Sequence, residues 1–243
     1  MKKMKNQNDL LIELLDNFNK RINISNGYEY NNKLVPRVTS ILSKCINEES
    51  LMYWANNLGF KKLSYKKTLQ RAANIGTLTH DSIDKFLSND EVSWENDSYI
   101  ESINAYNSFL KWYNELISNN KVEILYTEYT LKCKYFGGTL DGLYKINDKV
   151  YLIDYKTSNR VRFNYTLQLA AYRYMLRELL NINIDGCIIL QLSKDSIGYN
   201  EFVYNFDNES HLEYMNECET AFLSLVYAYY NIYYISERYD NLI

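Results

Sequence analysis

The chain has 243 residues, a formal net charge of −3 and a single proline. Its size suits one domain, and its charge lacks the strongly basic balance of a protein that coats DNA without specificity. There is no run of about 18 apolar residues that would predict a membrane span. The basic N-terminus has neither the apolar run nor the cleavage site of a signal peptide, so we expect a cytoplasmic protein.

Helices are predicted in the N-terminal half. Apolar residues recur at helical spacing over residues 7–23, 49–58, 65–88 and 98–118. Gly76 is expected to divide the third of these helices or to restart it. A polar stretch over 25–33 follows the first helix, and Pro36 breaks regular structure before Thr39 or Ser40 caps a further helix.

The pattern then changes to one that is typical of strands. Strands fit residues 122–132, 135–146, 149–155, 184–193 and 199–205, and helices fit 163–180 and 208–237. This order predicts an α/β fold with a mixed central β-sheet flanked by helices, preceded by an N-terminal helical region. We expect a single domain over 1–243. Its parts are a mainly helical region (1–120), the sheet with one helix (121–205) and a C-terminal helix (206–243).

Two aspartates are predicted to meet on neighbouring strands. Asp141 lies in a glycine-flanked segment (137–142), and Asp154 ends an apolar strand (150–153). A turn at residues 147 and 148 pairs Asp141 directly with Asp154, and strand alternation places Lys156 on the same face as Asp154. A turn aspartate between glycines and a structural salt bridge are the alternative interpretations.

Adjacent carboxylates repel each other unless a cation lies between them. Hard oxygen ligands suit Mg²⁺ or Mn²⁺. An ammonium from Lys156 beside such an ion can orient an attacking water and stabilise charge on a phosphate. The three side chains therefore indicate metal-dependent phosphate chemistry.

A glutamine and a tyrosine four residues apart extend this pattern. Asp141, Asp154-x-Lys156 and a helix with Gln168 and Tyr172 on one face resemble the RecB-like branch of the PD-(D/E)XK nuclease superfamily. The resemblance implies a restriction-endonuclease-like core that hydrolyses DNA with Mg²⁺, with Asp141, Asp154 and Lys156 as catalytic residues. It also implies that Gln168 and Tyr172 hold DNA or the lysine, whereas core packing is the alternative for Tyr172.

The same resemblance reaches further upstream. The segment that ends at His80 is similar to the Gly-x-x-x-His segment of that branch, although a lone helical histidine is usually structural or exposed. The resemblance implies that His80, Asp141, Asp154 and the backbone carbonyl of Tyr155 hold the metal. Glu128 on the preceding strand would lie near the metal or support it, unless it is a solvated strand charge.

The segment 36–42 and residues 51–54 are similar to the front end of phage and mitochondrial genome-maintenance exonucleases. This likeness implies single-stranded DNA ends as the substrate and Arg37 as a phosphate contact. The sequence has no nucleotide-binding motif of a helicase, so a helicase or recombination partner would be another chain.

Some relatives in that branch carry a four-cysteine iron–sulfur cluster, with one cysteine before the core and three near the C-terminus. The four cysteines of this chain are far apart and none forms a CxxC pair, so we expect free buried thiols and no iron–sulfur cluster. They are Cys45, Cys133, Cys187 and Cys218.

The leading hypothesis is a Mg²⁺-dependent DNA exonuclease that prefers single-stranded ends. One alternative is a nuclease-fold protein that binds DNA, or forms part of a phage particle, without catalysis. Another is an endonuclease of restriction or repair type. The composition is typical of an AT-rich genome and favours a phage or mobile-element gene, in which case the host cytoplasm is the expected location.

Overall fold

The structure is a computed structural model that describes residues 7–16, 24, 26–46, 49–94 and 99–240. The helices are α1 (Gln7–Asp16), α2 (Val38–Cys45), α3 (Glu49–Phe60), α4 (Tyr65–Leu87), α5 (Ile100–Asn119), α6 (Phe163–Leu180) and α7 (Glu209–Asp240). The strands are β1 (Gly27–Tyr30), β2 (Lys33–Pro36), β3 (Val122–Lys132), β4 (Gly137–Ile146), β5 (Lys149–Lys156), β6 (Gly186–Leu192) and β7 (Tyr199–Asn205). The predicted extension of the first helix over 17–23 lies outside the described residues.

The central sheet has the strand order β3-β4-β5-β6-β7. Strands β3 to β5 form an antiparallel meander. Strand β6 follows α6 in the chain and pairs with β5 in parallel, and β7 is antiparallel to β6. Asn147 and Asp148 have φ angles of 48° and 67°, which suit a two-residue hairpin turn. The mixed sheet and its helical flanks confirm the predicted fold class.

Strand β5 separates two apolar cores. Leu152 belongs to the core formed with α2, α6 and α7. Ile153 and Tyr155 belong to the core on the opposite face, formed with α4 and α5. Successive strand residues point to opposite faces of the sheet. Side chains at the end of β5 therefore point alternately toward α4 and toward α6. The candidate site lies there.

The N-terminal region differs from the prediction in three places. The sequence pattern predicts no strand in the polar stretch over 25–33, but β1 and β2 form a hairpin whose turn residues, Asn31 and Asn32, have φ angles of 48° and 60°. Helix α4 runs unbroken through Gly76, because one glycine costs a helix only about 1 kcal/mol. Helix α2 begins after Arg37, without a side-chain cap from Thr39 or Ser40.

None of the helices in the described ranges combines the length and the apolar character needed to cross a membrane.

Candidate metal centre

Asp141 lies where the β4–β5 pairing ends. The paired register runs outward from the turn to Gly142 and Ile153, as the hairpin prediction requires. Beyond that point the Asp141 side chain contacts the neighbouring strand, because its Oδ2 accepts a hydrogen bond from the backbone N–H of Tyr155 at 2.7 Å. Only 7% of Asp141 is exposed, so this carboxylate is held in place by the backbone of β5.

His80 reaches Asp141 from the middle of α4. Its Nε2 lies 3.1 Å from the carbonyl oxygen of Tyr155, and its Nδ1 lies 3.5 Å from Asp141 Oδ1 and 3.5 Å from Glu128 Oε1. When Nε2–H donates to the carbonyl, the neutral imidazole presents the Nδ1 lone pair to both carboxylates. This is the tautomer that a metal ligand needs.

Glu128 joins the group through an irregularity in β3. The β3–β4 register shifts between Ile124 and Tyr126, and Glu128 has a φ of 43° within the strand. Its neighbour Thr127 donates a hydrogen bond at 2.9 Å to Asp84 Oδ1, one helical turn after His80 on α4. Consecutive strand residues therefore both contact α4, whereas a regular strand would point them to opposite faces.

The His80 imidazole and the carboxylates of Glu128 and Asp141 fit a divalent cation. One ligand atom from each residue lies within 4.8 Å of the other two. Ligands about 2.1 Å from an octahedral ion lie about 3 Å apart at right angles, close to the 3.5 Å separations around Nδ1. Two carboxylates with one imidazole suit Mn²⁺ as well as Mg²⁺.

Asp154 and Lys156 form an ion pair beside this cluster. The ammonium lies 2.7 Å from Oδ1 and 2.6 Å from Oδ2 of Asp154. Asp154 is almost fully buried, and both of its carboxylate oxygens lie against the Lys156 ammonium. The ligand atoms that lie within 4.8 Å of one another come from His80, Glu128 and Asp141 and not from Asp154, so the role of Asp154 as a metal ligand stays a prediction.

Helix α6 supports the lysine from its other side. Lys156 Nζ lies 3.4 Å from Gln168 Oε1 and 4.9 Å from the centre of the Tyr165 ring. Gln168 Nε2 in turn donates to the Tyr172 hydroxyl at 3.2 Å. Gln168 of the predicted pair therefore contacts the lysine, whereas Tyr172 contacts Gln168, and Tyr165 is a neighbour that the sequence pattern did not indicate.

Burial and neighbouring charges act in opposite directions on the pKa values of the ionisable side chains in this site. Burial opposes protonation of His80, but Asp141 and Glu128 outweigh it and raise the pKa of the imidazole to about 10. Burial also acts against the Asp141 carboxylate, yet the charge of His80 keeps its pKa below the usual value. Burial raises the pKa of Asp154 to about 6. For Lys156, the attraction of Asp154 outweighs burial and raises the pKa, so the ammonium stays charged.

Arg37 lies apart from these contacts, between β2 and α2, where its backbone forms a bridge to Gly137. Its guanidinium lies 4.9 Å from the centre of the Tyr28 ring, and its Nε donates to Asn26 Oδ1 at 3.2 Å. The Tyr28 hydroxyl lies 3.0 Å from Thr139 Oγ1 on β4. A phosphate contact by Arg37 stays a prediction.

Asp84 and Thr127 were not identified from the sequence. The signal available was the position of Asp84 four residues after His80, which places both on one face of α4. Nothing in the sequence of β3 indicates that Thr127 contacts this face, because apolar residues occur on both faces of the strand.

No protein-family model and no curated protein matches this chain. Solved structures give remote likenesses. The crystal structure of SSO0001 covers 88% of this chain and 84% of its own, at 16% identity and a TM-score of 0.33. An alkaline exonuclease from Laribacter hongkongensis, LHK-Exo, covers 71% of this chain and 92% of its own, at 13% identity and a TM-score of 0.35. Its complex with dAMP gives the same coverage, 14% identity and a TM-score of 0.33. At these identities and TM-scores the likeness supports no conclusion about function, and any such conclusion must rest on the site itself.

Proposed function

We propose that this protein is a metal-dependent deoxyribonuclease, and specifically an exonuclease that acts on single-stranded DNA ends with Mg²⁺ or Mn²⁺. The observation that supports it is the cluster of His80, Glu128 and Asp141 within 4.8 Å, beside the buried ion pair of Asp154 and Lys156. A purely structural ion pair would need one carboxylate for the ammonium. Here two further carboxylates and an imidazole, from Glu128, Asp141 and His80, lie within 4.8 Å of one another.

His80, Glu128 and Asp141 would hold the ion, with Asp154 as a further carboxylate ligand. The Tyr155 carbonyl faces His80 Nε2, whereas Nδ1 faces the carboxylates, so this carbonyl would orient the imidazole and would not bind the ion itself. A divalent ion bound there would polarise a phosphate oxygen and lower the pKa of an attacking water. Lys156 remains protonated, so it donates hydrogen bonds to the water and the phosphate and does not accept a proton. Gln168 Oε1, 3.4 Å from the ammonium, would help to hold it toward a bound phosphate.

The first test is cleavage of 5′-labelled single-stranded DNA with Mg²⁺, with Mn²⁺ and with EDTA. Lys156→Met removes the ammonium while keeping most of the side-chain volume, and we expect it to lose about 10²–10³-fold in rate. Lys149→Met is the matched control, because Lys149 lies on the same strand but pairs with Asp207 at the surface. Absence of metal-dependent cleavage of any DNA or RNA by the wild type would refute the enzyme and favour the non-catalytic nuclease-fold alternative.

The second test separates the two enzyme hypotheses. An end-dependent exonuclease leaves covalently closed single-stranded circles intact and degrades the same DNA after linearisation. Cleavage of the circles would replace the exonuclease with an endonuclease. A parallel assay with blunt duplex DNA tests the preference for single strands, which derives from the resemblance of residues 36–180 to single-strand exonucleases.

A further inference from the structure

A long acid-free segment leads into the metal centre. Residues 50–80 contain no aspartate or glutamate. The cations in this segment are Lys61, Lys62, Lys66, Lys67 and Arg71. The segment thus carries a formal charge of +5 in a chain whose net charge is −3, so the remainder carries −8. A local excess of this size in an acidic protein favours an acidic partner.

The cationic part of this segment extends away from both apolar cores. No side chain from Lys61 to Asn74 is buried, and the first buried residue of α4 is Ile75. Arg71 is engaged by Glu101 at 2.7 Å. The four lysines are all exposed. The first ten residues of α4 therefore lie on the surface, with no buried side chain among them.

Large apolar side chains are exposed among these lysines. Phe60 is 80% exposed and Tyr53 is 72% exposed, and Leu63 and Leu69 are 53% and 45% exposed. Exposed aromatic rings together with exposed cations are the combination that binds unpaired nucleic acid, because bases stack on the rings while phosphates contact the cations. A duplex keeps its base faces stacked internally, so it could use the lysines but not Phe60 or Tyr53.

We propose that residues 53–74, which we term the α3–α4 arm, bind single-stranded DNA and guide it to the metal centre. This inference rests on the proposed function for what happens at the metal. Lys67 and His80 are thirteen residues apart on one continuous helix, or about 20 Å at the helical rise. That distance corresponds to about six nucleotides at a stacked rise of about 3.4 Å.

The charge contribution is tested with an arm variant in which Lys61, Lys62, Lys66 and Lys67 are changed to Gln. The control variant changes four other exposed lysines to Gln, and these are Lys33, Lys44, Lys111 and Lys132. Both variants alter net charge equally. The probe is a fluorescent oligothymidylate of about twenty nucleotides, titrated in EDTA over a range of salt concentrations.

We expect the arm variant to bind the oligothymidylate at least about tenfold more weakly than the control variant. Its plot of log affinity against log salt should be shallower by about 2–3, because each single-strand phosphate contact contributes about 0.7. Equal affinity in the arm and control variants would overturn the proposal. An equal loss for a blunt duplex of the same length would overturn its restriction to single strands.

Stacking is tested separately with Phe60→Ala, and Phe60→Tyr is the matched control that keeps a ring. Because Phe60 is 80% exposed, its removal leaves the cores intact, which a thermal melt verifies. Loss of one base–aromatic stack should weaken oligothymidylate binding about fivefold or more, whereas the tyrosine variant should match the wild type. Identical affinities for Phe60→Ala and Phe60→Tyr would count against stacking in the arm.

A cleavage comparison distinguishes the arm from the catalytic proposal. Bis(p-nitrophenyl) phosphate is too small to span the roughly 20 Å from the metal centre to the nearest substituted lysine, Lys67, so wild type and arm variant should hydrolyse it at the same rate. The arm variant should cut the oligothymidylate more slowly at limiting substrate. If the wild type cuts neither probe but the arm variant still loses oligonucleotide binding, the proposed function fails and the arm proposal stands. If the wild type cuts both probes and the arm variant matches it on each, the arm proposal fails alone.

Discussion

Replacing Thr127 by valine should disturb the metal centre with little effect on the fold. The hydroxyl of Thr127 donates to Asp84 at 2.9 Å, and the next residue, Glu128, has a left-handed φ of 43°. A hydrogen bond to a carboxylate contributes about 1.5–3 kcal/mol, with the lower end appropriate for this part-buried pair. A left-handed residue other than glycine costs about 1–2 kcal/mol. Because the free energy of the hydrogen bond and the cost of the left-handed backbone are comparable, loss of the bond allows Glu128 to adopt a regular extended conformation.

In the extended conformation, the Glu128 carboxylate would point to the face opposite Thr127 and leave His80 and Asp141 with one ligand fewer. We expect Thr127→Val to weaken Mn²⁺ binding about 10–100-fold. The melting temperature should change by only a few degrees, since the relief of backbone strain offsets part of the lost bond. Calorimetric titration with Mn²⁺ and a thermal melt of the metal-free protein measure the two effects.

Two pairs of variants isolate the hydrogen bond. Thr127→Ser keeps the donor and Asp84→Asn keeps an acceptor, so both should bind Mn²⁺ nearly as the wild type does. Asp84→Leu removes the acceptor and should behave like Thr127→Val. Hydrogen exchange of the peptide around Glu128 should be faster in Asp84→Leu than in Asp84→Asn. Mn²⁺ affinity that is the same in Thr127→Val and Thr127→Ser would refute the reasoning.

Further predictions concern packing and pH. In Gly138→Ala the new Cβ would lie 2.5 Å from Tyr172 Cε1, so the ring must move. We expect about 1–3 kcal/mol of destabilisation and slower DNA cleavage. Gly198→Ala meets no atom within 4 Å and should leave both the melt and the cleavage rate unchanged. A metal must displace the proton from His80, whose pKa is about 10, so Mn²⁺ affinity should rise about tenfold per pH unit below that value. His80→Gln should flatten this dependence in titrations at different pH. Because the pKa of His80 is raised on folding, its pairing with Asp141 stabilises the metal-free protein fully below about pH 6.5 and is lost as pH rises through about 10. Melts of wild type that show no decline over this window relative to His80→Gln would contradict that pairing.

The meander was predictable because its determinants are local. Asn147 and Asp148 tolerate left-handed φ angles, and a two-residue turn sets the register of the strands that it joins. The pairing of Gly142 with Ile153 follows from the turn alone. The approach of Asp141 to β5 could therefore be anticipated without knowledge of the helices.

The environment of Glu128 could not be predicted in the same way. The only sequence evidence for the direction of the Glu128 side chain was the alternation of side chains along β3. Because apolar residues occur on both faces of β3, this alternation did not show which face Glu128 occupies. The register shift near Tyr126 and the left-handed Glu128 break that alternation, and both depend on tertiary contacts such as the bond from Thr127 to Asp84. The β1–β2 hairpin was missed for another reason, since its Asn31-Asn32 turn signal lay inside a polar stretch.

Tyr155 links the apolar core directly to the polar centre. Its ring packs against Phe109 and its hydroxyl lies 2.7 Å from that of Tyr144, while its N–H and carbonyl oxygen contact Asp141 and His80. Two candidate ligands are thus aligned by a peptide backbone whose own side chain is immobilised by packing. Such preorganisation means that little reorganisation energy is needed when the centre changes its charge during a turnover. Substitutions deep in the α5 core would then alter catalytic rate without touching any group that meets the substrate.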